Sequence, residues 1–473
     1  MDRRGLILGA LSACLPVMSR PTFGATEKGD YELIVVGAGV AGLTAACLAK
    51  QLGIHRILIL ESEPLIGGSS LICGGFWAVS ETEFQKQLGI KDSDQAFYRD
   101  ILEVGGYQND ESLVRAFINN NRLQYEWVLR QGVAPKSIAP GAGTMRAHVF
   151  DPRRVIERLY RNAVADGTAI EVSQRVRKLL YDPACRRVTG VCTDCGLYRA
   201  RAVLLACGGF ARNKALLEKY SPQMRFASSI SAQGSRGDGI LMAQAVGADL
   251  ADMKWLAASY AFIQNPTTID DMTFVNYHGG IIVNKYGKRF VDESLPYKLI
   301  AREVLKQANA KSFIVFDEAI RRISAQQPID RRLWNEVPMA SGPTLEQAAV
   351  QCAIDPEALK RTVHDYNQAV RSGMNPQRGP ISVNQGRLLE INTPPFYILP
   401  ASLCLLGTYC GVKINDKAQV VDTQGEIIDG LWAAGEVTGG FHGASFIMGT
   451  AYGKAQTFAR IAAENIARKI QEE

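Results

Sequence analysis

Gly37, Gly39 and Gly42 lie between an apolar run that begins at Tyr31 and an Ala/Leu-rich stretch. Glycines at this spacing allow a tight turn, close approach of the backbone to a pyrophosphate, and close packing of a helix on a strand. The N-terminus of the following helix attracts phosphate groups. Glu61 follows nineteen residues after Gly42, where a carboxylate can accept hydrogen bonds from ribose hydroxyls. The spacing therefore predicts a dinucleotide site.

The elements that must position this turn form a βαβ unit. We predict a strand over Tyr31–Gly37, a helix that ends near Leu52, and a second strand over Ile57–Leu60. Sheet-like patterns return near Leu403, and an Ala-rich helix begins at Thr450. Between them, aromatic residues, prolines and polar turns alternate with helices, which indicates an inserted domain of different character.

Composition and charge limit the classes of protein to which this chain can belong. The chain is 47% hydrophobic and 21% charged, which is typical of globular proteins. Its 473 residues are too many for one small core. The net charge of +6 comes without a long Lys/Arg run, so we expect no nucleic-acid partner. Cys192-x-x-Cys195 has no second ligand pair, so we expect a turn and no metal site. No Cys-x-x-Cys-His occurs, which argues against a c-type haem attached to this sequence.

The first residues resemble an export signal. Arg3 and Arg4 precede an apolar run over Gly5–Met18, as in twin-arginine signals, which export folded, cofactor-loaded proteins. We therefore predict a signal over residues 1–25 and a periplasmic location. An ordinary apolar N-terminal tail is the alternative. Lipidation of Cys14, which ends a lipoprotein-like Leu-Ser-Ala-Cys box, is a further one.

Further glycine-rich segments decide which dinucleotide is expected. They are Gly67-Gly68-Ser69-Ser70 with Gly74-Gly75, Ala206–Phe210, and Gly435-Glu436. Together with Gly237-Asp238-Gly239, Ile282–Phe290 and His442-Gly443-Ala444, they resemble the flavin-dependent fumarate reductase and 3-ketosteroid dehydrogenase superfamily over nearly the whole chain after Tyr31. The resemblance implies FAD, bound without a covalent link because no match to the family's flavin-linked histidine is found. It also implies FAD contacts at Ala41, Glu61, Ser69, Ser70, Gly74, Gly75, Val176, Asp238, Glu436, Ala451 and Tyr452.

The implied fold is α/β, with a Rossmann-like FAD-binding domain that is split in sequence. Its two parts are expected at residues 26–254 and 401–473. An α+β capping domain, inserted at residues 255–400, is expected to close over the substrate.

The loop Phe290–Tyr297 is similar to the family loop that carries a proton-donating arginine. Its last position holds Tyr297, as in the ketosteroid dehydrogenase branch, so Tyr297 is the expected catalytic residue; a packed aromatic of the cap is the alternative. The family's second substrate arginine is replaced in the Ser445-Phe446 segment, and its substrate histidine by Asn265. Tyr409 lies in a segment that is also closer to the ketosteroid branch.

These positions are the expected substrate contacts: Asn265, Tyr409, Ser445 and Phe446. Without arginine forks a dicarboxylate loses its bidentate partners, so fumarate and succinate are not expected substrates. Aromatic residues suggest an apolar or ring-containing substrate. Arg146 and His148 resemble a family segment near the flavin, but a surface loop is equally compatible with the sequence.

The resulting hypothesis is an exported ene reductase that acts on a carbon–carbon bond next to a carbonyl or carboxyl group. Hydride is expected through flavin N5 and the proton through Tyr297. The partners would be a small-molecule substrate and an external electron donor or acceptor, such as a cytochrome or quinone-linked protein. The alternatives are a 3-ketosteroid- or cyclic-ketone-type dehydrogenase, and a non-enzymatic flavin electron-carrier subunit.

Overall fold

The computed structural model describes residues 27–141, 144–256, 258–327, 330, 333–334, 337, 339–373 and 388–473. The predicted export signal at residues 1–25, with Cys14, lies outside these residues.

Strands and helices are numbered separately in chain order. The strands are β1 Glu27–Val36, β2 Ile57–Leu60, β3 Phe76–Ala78, β4 Ser137–Gly141, β5 Thr144–Val149, β6 Ala169–Glu171, β7 Val176–Asp182, β8 Arg187–Thr193, β9 Gly196–Leu205, β10 Ser228–Ser229, β11 Leu250–Ala251, β12 Ser259–Phe262, β13 Ile281–Asn284, β14 Ser312–Asp317, β15 Ala340–Gly342, β16 Phe396–Leu405, β17 Gly411–Val412, β18 Gln419–Val421 and β19 Ile427–Ala433. The helices are α1 Val40–Gln51, α2 Gly68–Leu71, α3 Glu83–Gln87, α4 Asp94–Val104, α5 Glu111–Arg130, α6 Pro152–Ala165, α7 Lys214–Tyr220, α8 Asp238–Ala245, α9 Tyr297–Leu305, α10 Glu318–Ala325, α11 Leu345–Gln351, α12 Pro356–Arg371 and α13 Thr450–Glu472.

The main sheet has the strand order β18-β19-β8-β9-β1-β2-β6, with β7 paired to β8. β1 runs parallel to both β2 and β9, so that Val36 lies beside Leu60 on one side and Leu205 on the other. All four residues of β2 are buried, which explains its unbroken apolar run. Helices α1 and α13 pack together over the sheet through buried alanines such as Ala45 and Ala462. This arrangement confirms the predicted Rossmann-like fold.

A second sheet is built around β16. This strand pairs antiparallel with β12, β14 and β15 and parallel with β10, and β14 pairs with β13. The predicted domain boundary at residue 400 falls inside β16, because the buried Leu403-Cys404-Leu405 stretch continues the strand. β10 joins the same sheet although it precedes residue 255. The elements of the inserted region therefore extend beyond the predicted 255–400 range at both ends.

Arg146 and His148 lie on β5, in a small sheet of order β3-β5-β4. The Arg146 guanidinium is buried and donates to Asp92 at 2.5 and 2.6 Å and to Asp100 at 2.6 Å. His148 Nε2 lies 2.8 Å from the Thr82 hydroxyl, and burial lowers the pKa of this imidazole to about 4. The surface-loop interpretation is therefore wrong, because both side chains are buried. Neither residue lines the cavity described below, and a place near the flavin stays a prediction.

Cys192 is the penultimate residue of β8, and Cys195 lies in the two-residue turn before β9, as predicted. Both thiols are free, as are the other cysteines that the structure describes. Among the described residues, no group of three or more His, Cys, Asp and Glu side chains could hold a metal ion, and no helix is long and apolar enough to cross a membrane.

Candidate flavin and substrate site

A cavity opens at the carboxyl ends of β1, β2 and β9. Ligands of open α/β sheets bind at this edge. Most of the predicted cofactor residues line the cavity: Gly37, Gly39, Ala41, Glu61, Ser69, Ser70, Val176, Asp238, Glu436, Ala451 and Tyr452. Tyr409, predicted for the substrate side, lines it as well.

The first turn requires glycines because other backbone atoms lie too close to these positions to leave room for a Cβ. Gly37 has a φ of 108°, and a Cβ there would lie 2.6 Å from the carbonyl oxygen of Ala206. A Cβ on Gly42 would lie 2.0 Å from the carbonyl oxygen of Gly37. Gly42 therefore packs α1 against the turn without lining the cavity. Space for a pyrophosphate remains at the N-terminus of α1, which begins after Gly39 without a side-chain cap.

Gly74 and Gly75 also lie outside the cavity lining. Gly75 has a φ of 67°, and a Cβ there would lie 2.2 Å from the carbonyl oxygen of Phe150. A Cβ on Gly74 would meet the ring of Phe76 at 2.6 Å. The structure gives these two glycines a packing role next to the site, and cofactor contact at them stays a prediction.

Glu61 stands at the end of β2 with its carboxylate on the cavity wall. One oxygen accepts from the backbone N–H of Ala38 at 2.8 Å, and the other from that of Glu63 at 2.9 Å. Burial raises the pKa of this carboxyl, and the backbone donors oppose the rise. The carboxylate is thus anchored to the glycine turn, with lone pairs available for a ribose hydroxyl.

Arg175 was missed by the sequence reasoning. It lines the cavity and donates to Asp238 at 2.6 and 2.7 Å, through two nitrogens. This fork fixes the carboxylate at the N-terminus of α8. The sequence signal was its place immediately before the predicted contact Val176.

The opposite part of the cavity wall holds buried polar atoms that lack a partner. The hydroxyl of Tyr452 and Nε2 of His442 make no hydrogen bond within the part of the chain that the structure describes. Lys454 is buried beside them and donates to the Thr438 carbonyl oxygen at 2.9 Å, and burial lowers its pKa to about 8. Buried polar groups normally have partners, so these atoms indicate a polar ligand. A glycine cradle with an acid at one side and polar groups at the other fits FAD.

A mixed sheet whose central strands run parallel, with this turn, acid and cavity, defines a Rossmann-type dinucleotide-binding flavoprotein. A family model described as "FAD binding domain" matches residues 32–450. "Fumarate reductase (cytochrome)" from Shewanella frigidimarina is 30% identical over 455 residues, which cover 92% of this chain and 77% of the relative. The chain therefore belongs to the FAD-binding-domain family of fumarate reductase and 3-ketosteroid dehydrogenase type.

Other relatives support the same class. "Urocanate reductase" from Eggerthella lenta is 29% identical, over 93% of this chain and 75% of the relative. A structure of "the open conformation of a flavocytochrome c3 fumarate reductase" superposes with a TM-score of 0.80 at 29% identity, over 94% of this chain and 79% of that one. A Rhodococcus jostii 3-ketosteroid-Δ4-(5α)-dehydrogenase gives 0.80 at 24% identity, over 94% of this chain and 99% of that one, which shows the fold. The protein is an FAD-dependent oxidoreductase acting on CH–CH groups.

Tyr297 is the first residue of α9, half-buried against the apolar cluster that contains Phe262 and Cys404. Burial raises the pKa of its hydroxyl to about 12. Tyr277 helps to hold the loop in place, because its hydroxyl donates to the Leu295 carbonyl oxygen at 2.8 Å. Tyr297 stands at the start of a helix and does not line the cavity itself, but it lies near Tyr409, which does.

Two predicted substrate contacts, Tyr409 and Phe446, pack together with ring centroids 4.3 Å apart, and we call this pair the aromatic floor. Tyr409 lines the cavity and Phe446 does not. The His442 ring stands edge-on to Tyr409 at 5.6 Å. Ser445 is half-buried next to Phe446. Asn265 is not brought to this cluster: it is exposed, with a left-handed φ of 56°, in a turn after β12, and it does not line the cavity. Its predicted contact with substrate has no support in this geometry.

Lys298 is the second residue of the site that was not predicted from the sequence. It follows Tyr297 on α9 and is buried, with Nζ 4.7 Å from the Tyr409 ring centroid and 4.6 Å from that of Phe446. Burial lowers its pKa to about 7. One turn further along α9, Arg302 stacks on Trp255 and donates to the Ala444 carbonyl oxygen.

We expect Glu61→Ala to weaken FAD binding by roughly 10- to 100-fold, because a charged hydrogen bond contributes about 1.5–3 kcal/mol. Titration of apoprotein with FAD, followed by flavin fluorescence, measures the change. Glu61→Gln keeps an acceptor oxygen and should lose less. Acid should release the flavin intact from the wild-type protein; flavin that stays attached after denaturation would contradict the non-covalent site.

Proposed function

We propose that this protein is an ene reductase that saturates a carbon–carbon double bond next to a carbonyl or carboxyl group of a small molecule. FAD, when bound and reduced, supplies the hydride from N5 to the β carbon of the substrate. Tyr297 donates the proton to the α carbon. Tyr409 and Phe446 support the apolar body of the substrate.

The observation that carries this proposal is the environment of the Tyr297 hydroxyl. A pKa of about 12 keeps it protonated at neutral pH, ready to donate. The same burial opposes the phenolate that a desaturase would need in order to remove a proton. We therefore propose reduction of the substrate rather than its oxidation.

A second candidate is a 3-ketosteroid- or cyclic-ketone-type dehydrogenase. Tyr297 occupies the position that matches that branch, and "3-oxosteroid 1-dehydrogenase" of Mycobacterium tuberculosis aligns with 93% of this chain at 24% identity. A simple flavin electron carrier is less well supported, because it would have no use for a second sheet and a half-buried aromatic floor beside the flavin cavity.

The reaction needs an external source of electrons. We propose a cytochrome or a quinone-linked protein, in keeping with a relative whose name specifies a cytochrome. The Arg3-Arg4 segment supports export to the periplasm, where such a partner would be met.

Anaerobic mixing of the holoprotein with a reduced viologen dye tests the function. Enones, cinnamate-like acids and cyclic ketones are offered in turn, and dye oxidation is followed. Turnover of an activated double bond is the expected result. A protein that instead reduces a dye acceptor with saturated cyclic ketones is the dehydrogenase, and one that does neither is a carrier.

We expect negligible turnover of fumarate in the same assay, because Tyr297 and Phe446 cannot provide the two arginine forks of a dicarboxylate clamp. The measurement compares fumarate with the best substrate at equal concentration and equal dye. Robust fumarate reduction would mean that other cations grip both carboxylates.

We expect a reporter fused after Thr26 to reach the periplasm only while Arg3 and Arg4 are intact. Twin-arginine recognition depends on the arginine pair, so changing both to lysine should keep the reporter in the cytoplasm. Cell fractionation measures this. Equal export of both fusions would remove the twin-arginine proposal, and palmitate labelling tests Cys14.

A further inference from the structure

We propose that Lys298 binds the carboxylate of the substrate, and that the substrate is a monoanionic 2-enoate with an apolar or aromatic body. This inference rests on the proposed function and narrows it, because a neutral enone or ketosteroid has no charge for a lysine to meet.

The position of Lys298 supports this role. Its side chain is 3% exposed, and its Nζ lies against Tyr409 and Phe446, the two rings of the aromatic floor. Tyr409 lines the flavin cavity. A cation is therefore held where the substrate body would lie, next in sequence to the residue proposed to donate the proton.

Lys298 is a buried lysine whose Nζ faces two aromatic rings. Desolvation lowers its pKa to about 7, while Glu436 and Cys404 act in the opposite direction. An anion bound beside it would restore the charged form, because opposite charges at close range favour ionisation. The faces of Tyr409 and Phe446 offset part of the desolvation of the ammonium through cation–π contacts.

Two further features make the same region suited to an anion. Lys298 stands in the first turn of α9, a nine-residue helix whose N-terminus carries positive partial charge. The His442 ring, 5.4 Å from Phe446 and 3% exposed, has an Nε2 that makes no hydrogen bond among the described residues. It can donate to an oxygen in this space.

The proposed reaction transfers one hydride and one proton to the double bond. The π bond breaks as the β carbon receives the hydride with its electron pair, and the α carbon receives the proton of Tyr297. Negative charge that develops toward the carboxylate during the transfer is stabilised by the Lys298 ammonium. The carboxylate keeps its single charge in the product, water reprotonates the phenolate, and reduced dye replaces the two electrons.

The test uses acid and methyl-ketone pairs of one skeleton: cinnamate with 4-phenylbut-3-en-2-one, and acrylate with but-3-en-2-one. Wild-type holoprotein is compared with Lys298→Met, Lys298→Arg and Lys306→Met. Lys306 is the matched control, since it follows the same helix but is exposed. The readouts are kcat/KM with reduced viologen, and the Kd of each acid for the oxidised holoprotein from the flavin difference spectrum.

We expect Lys298→Met to lose roughly 30-fold or more in kcat/KM for the acids and to weaken their Kd, as expected for loss of one partner of a buried charge pair. The ketones should be unaffected or improved. Lys298→Arg should recover part of the loss, and Lys306→Met should match the wild type.

Failure of this inference is separable from failure of the proposed function. Turnover of ketones but not acids, or equal losses for acid and ketone in Lys298→Met, would overturn the carboxylate role and leave an ene reductase. Should neither class be turned over, the function fails and the Kd decides: acid binding that depends on Lys298 supports the anion site, and acid binding that is equal in both proteins or absent refutes it.

Discussion

Tyr297→Phe should reduce turnover by roughly 10²–10⁴, the usual contribution of a positioned general acid. The change keeps the ring that packs against Phe262 and removes the only exchangeable proton of the side chain. Binding of substrate should change far less than kcat, because the lost interaction acts mainly in the transition state. Steady-state assays with reduced viologen measure both quantities.

Two controls separate chemistry from packing. FAD content and thermal stability of Tyr297→Phe should stay close to wild type, and dye reduction of the flavin should survive. Tyr260→Phe changes a buried tyrosine whose hydroxyl accepts from Ser312 in the second sheet, and it should leave turnover intact. Near-normal turnover of Tyr297→Phe would assign the proton to another group, with Tyr409 the first to test.

Arg146→Met should lower the free energy of unfolding by about 3–5 kcal/mol, because it leaves the buried Asp92 carboxylate without its bidentate partner. Urea denaturation followed by tryptophan fluorescence measures the loss. The protein that remains folded should keep its FAD and its KM, since Arg146 does not line the cavity.

Arg115→Met provides the comparison. It breaks an exposed pair with Glu111 on one helix and should lower the free energy of unfolding far less, because solvent screens such pairs. Adding Asp92→Asn to Arg146→Met should recover part of the stability, because the remaining charge is then removed. Loss of FAD from the folded Arg146→Met protein would instead show that Arg146 contributes to flavin binding.

The flavin-binding half of the molecule was predictable because its sequence motifs lie close together along the chain. The turn at Gly37–Gly42 and the acid at Glu61 stand at fixed spacings along one βαβ unit, and the structure has β2 at the predicted Ile57–Leu60. The predicted helix from Thr450 is present as α13. Steric demands such as the Gly42 approach to Gly37 act between near neighbours, so they leave a pattern in the sequence.

The substrate half depends on contacts between distant segments. Lys298, Tyr409 and Phe446 come from a helix, a loop after β16 and the segment before α13, and no local spacing links them. Arg146 was ambiguous for the same reason, because its partner Asp92 lies 54 residues away. The predicted contact at Asn265 came from alignment to a family segment, and the turn after β12 points that residue to solvent.

The way the chain passes between the two sheets has a mechanical consequence. It leaves the flavin side after β11 and returns through β17, and these two strands pair with each other, Leu250 opposite Val412. Because β10 also joins the second sheet, a further link between the two sheets precedes β11. Several hydrogen-bonded links restrict the relative motion of two sheets more than one free linker would. Tyr409 lies between β16 of the second sheet and β17, so the segment that carries this ring is anchored at both ends.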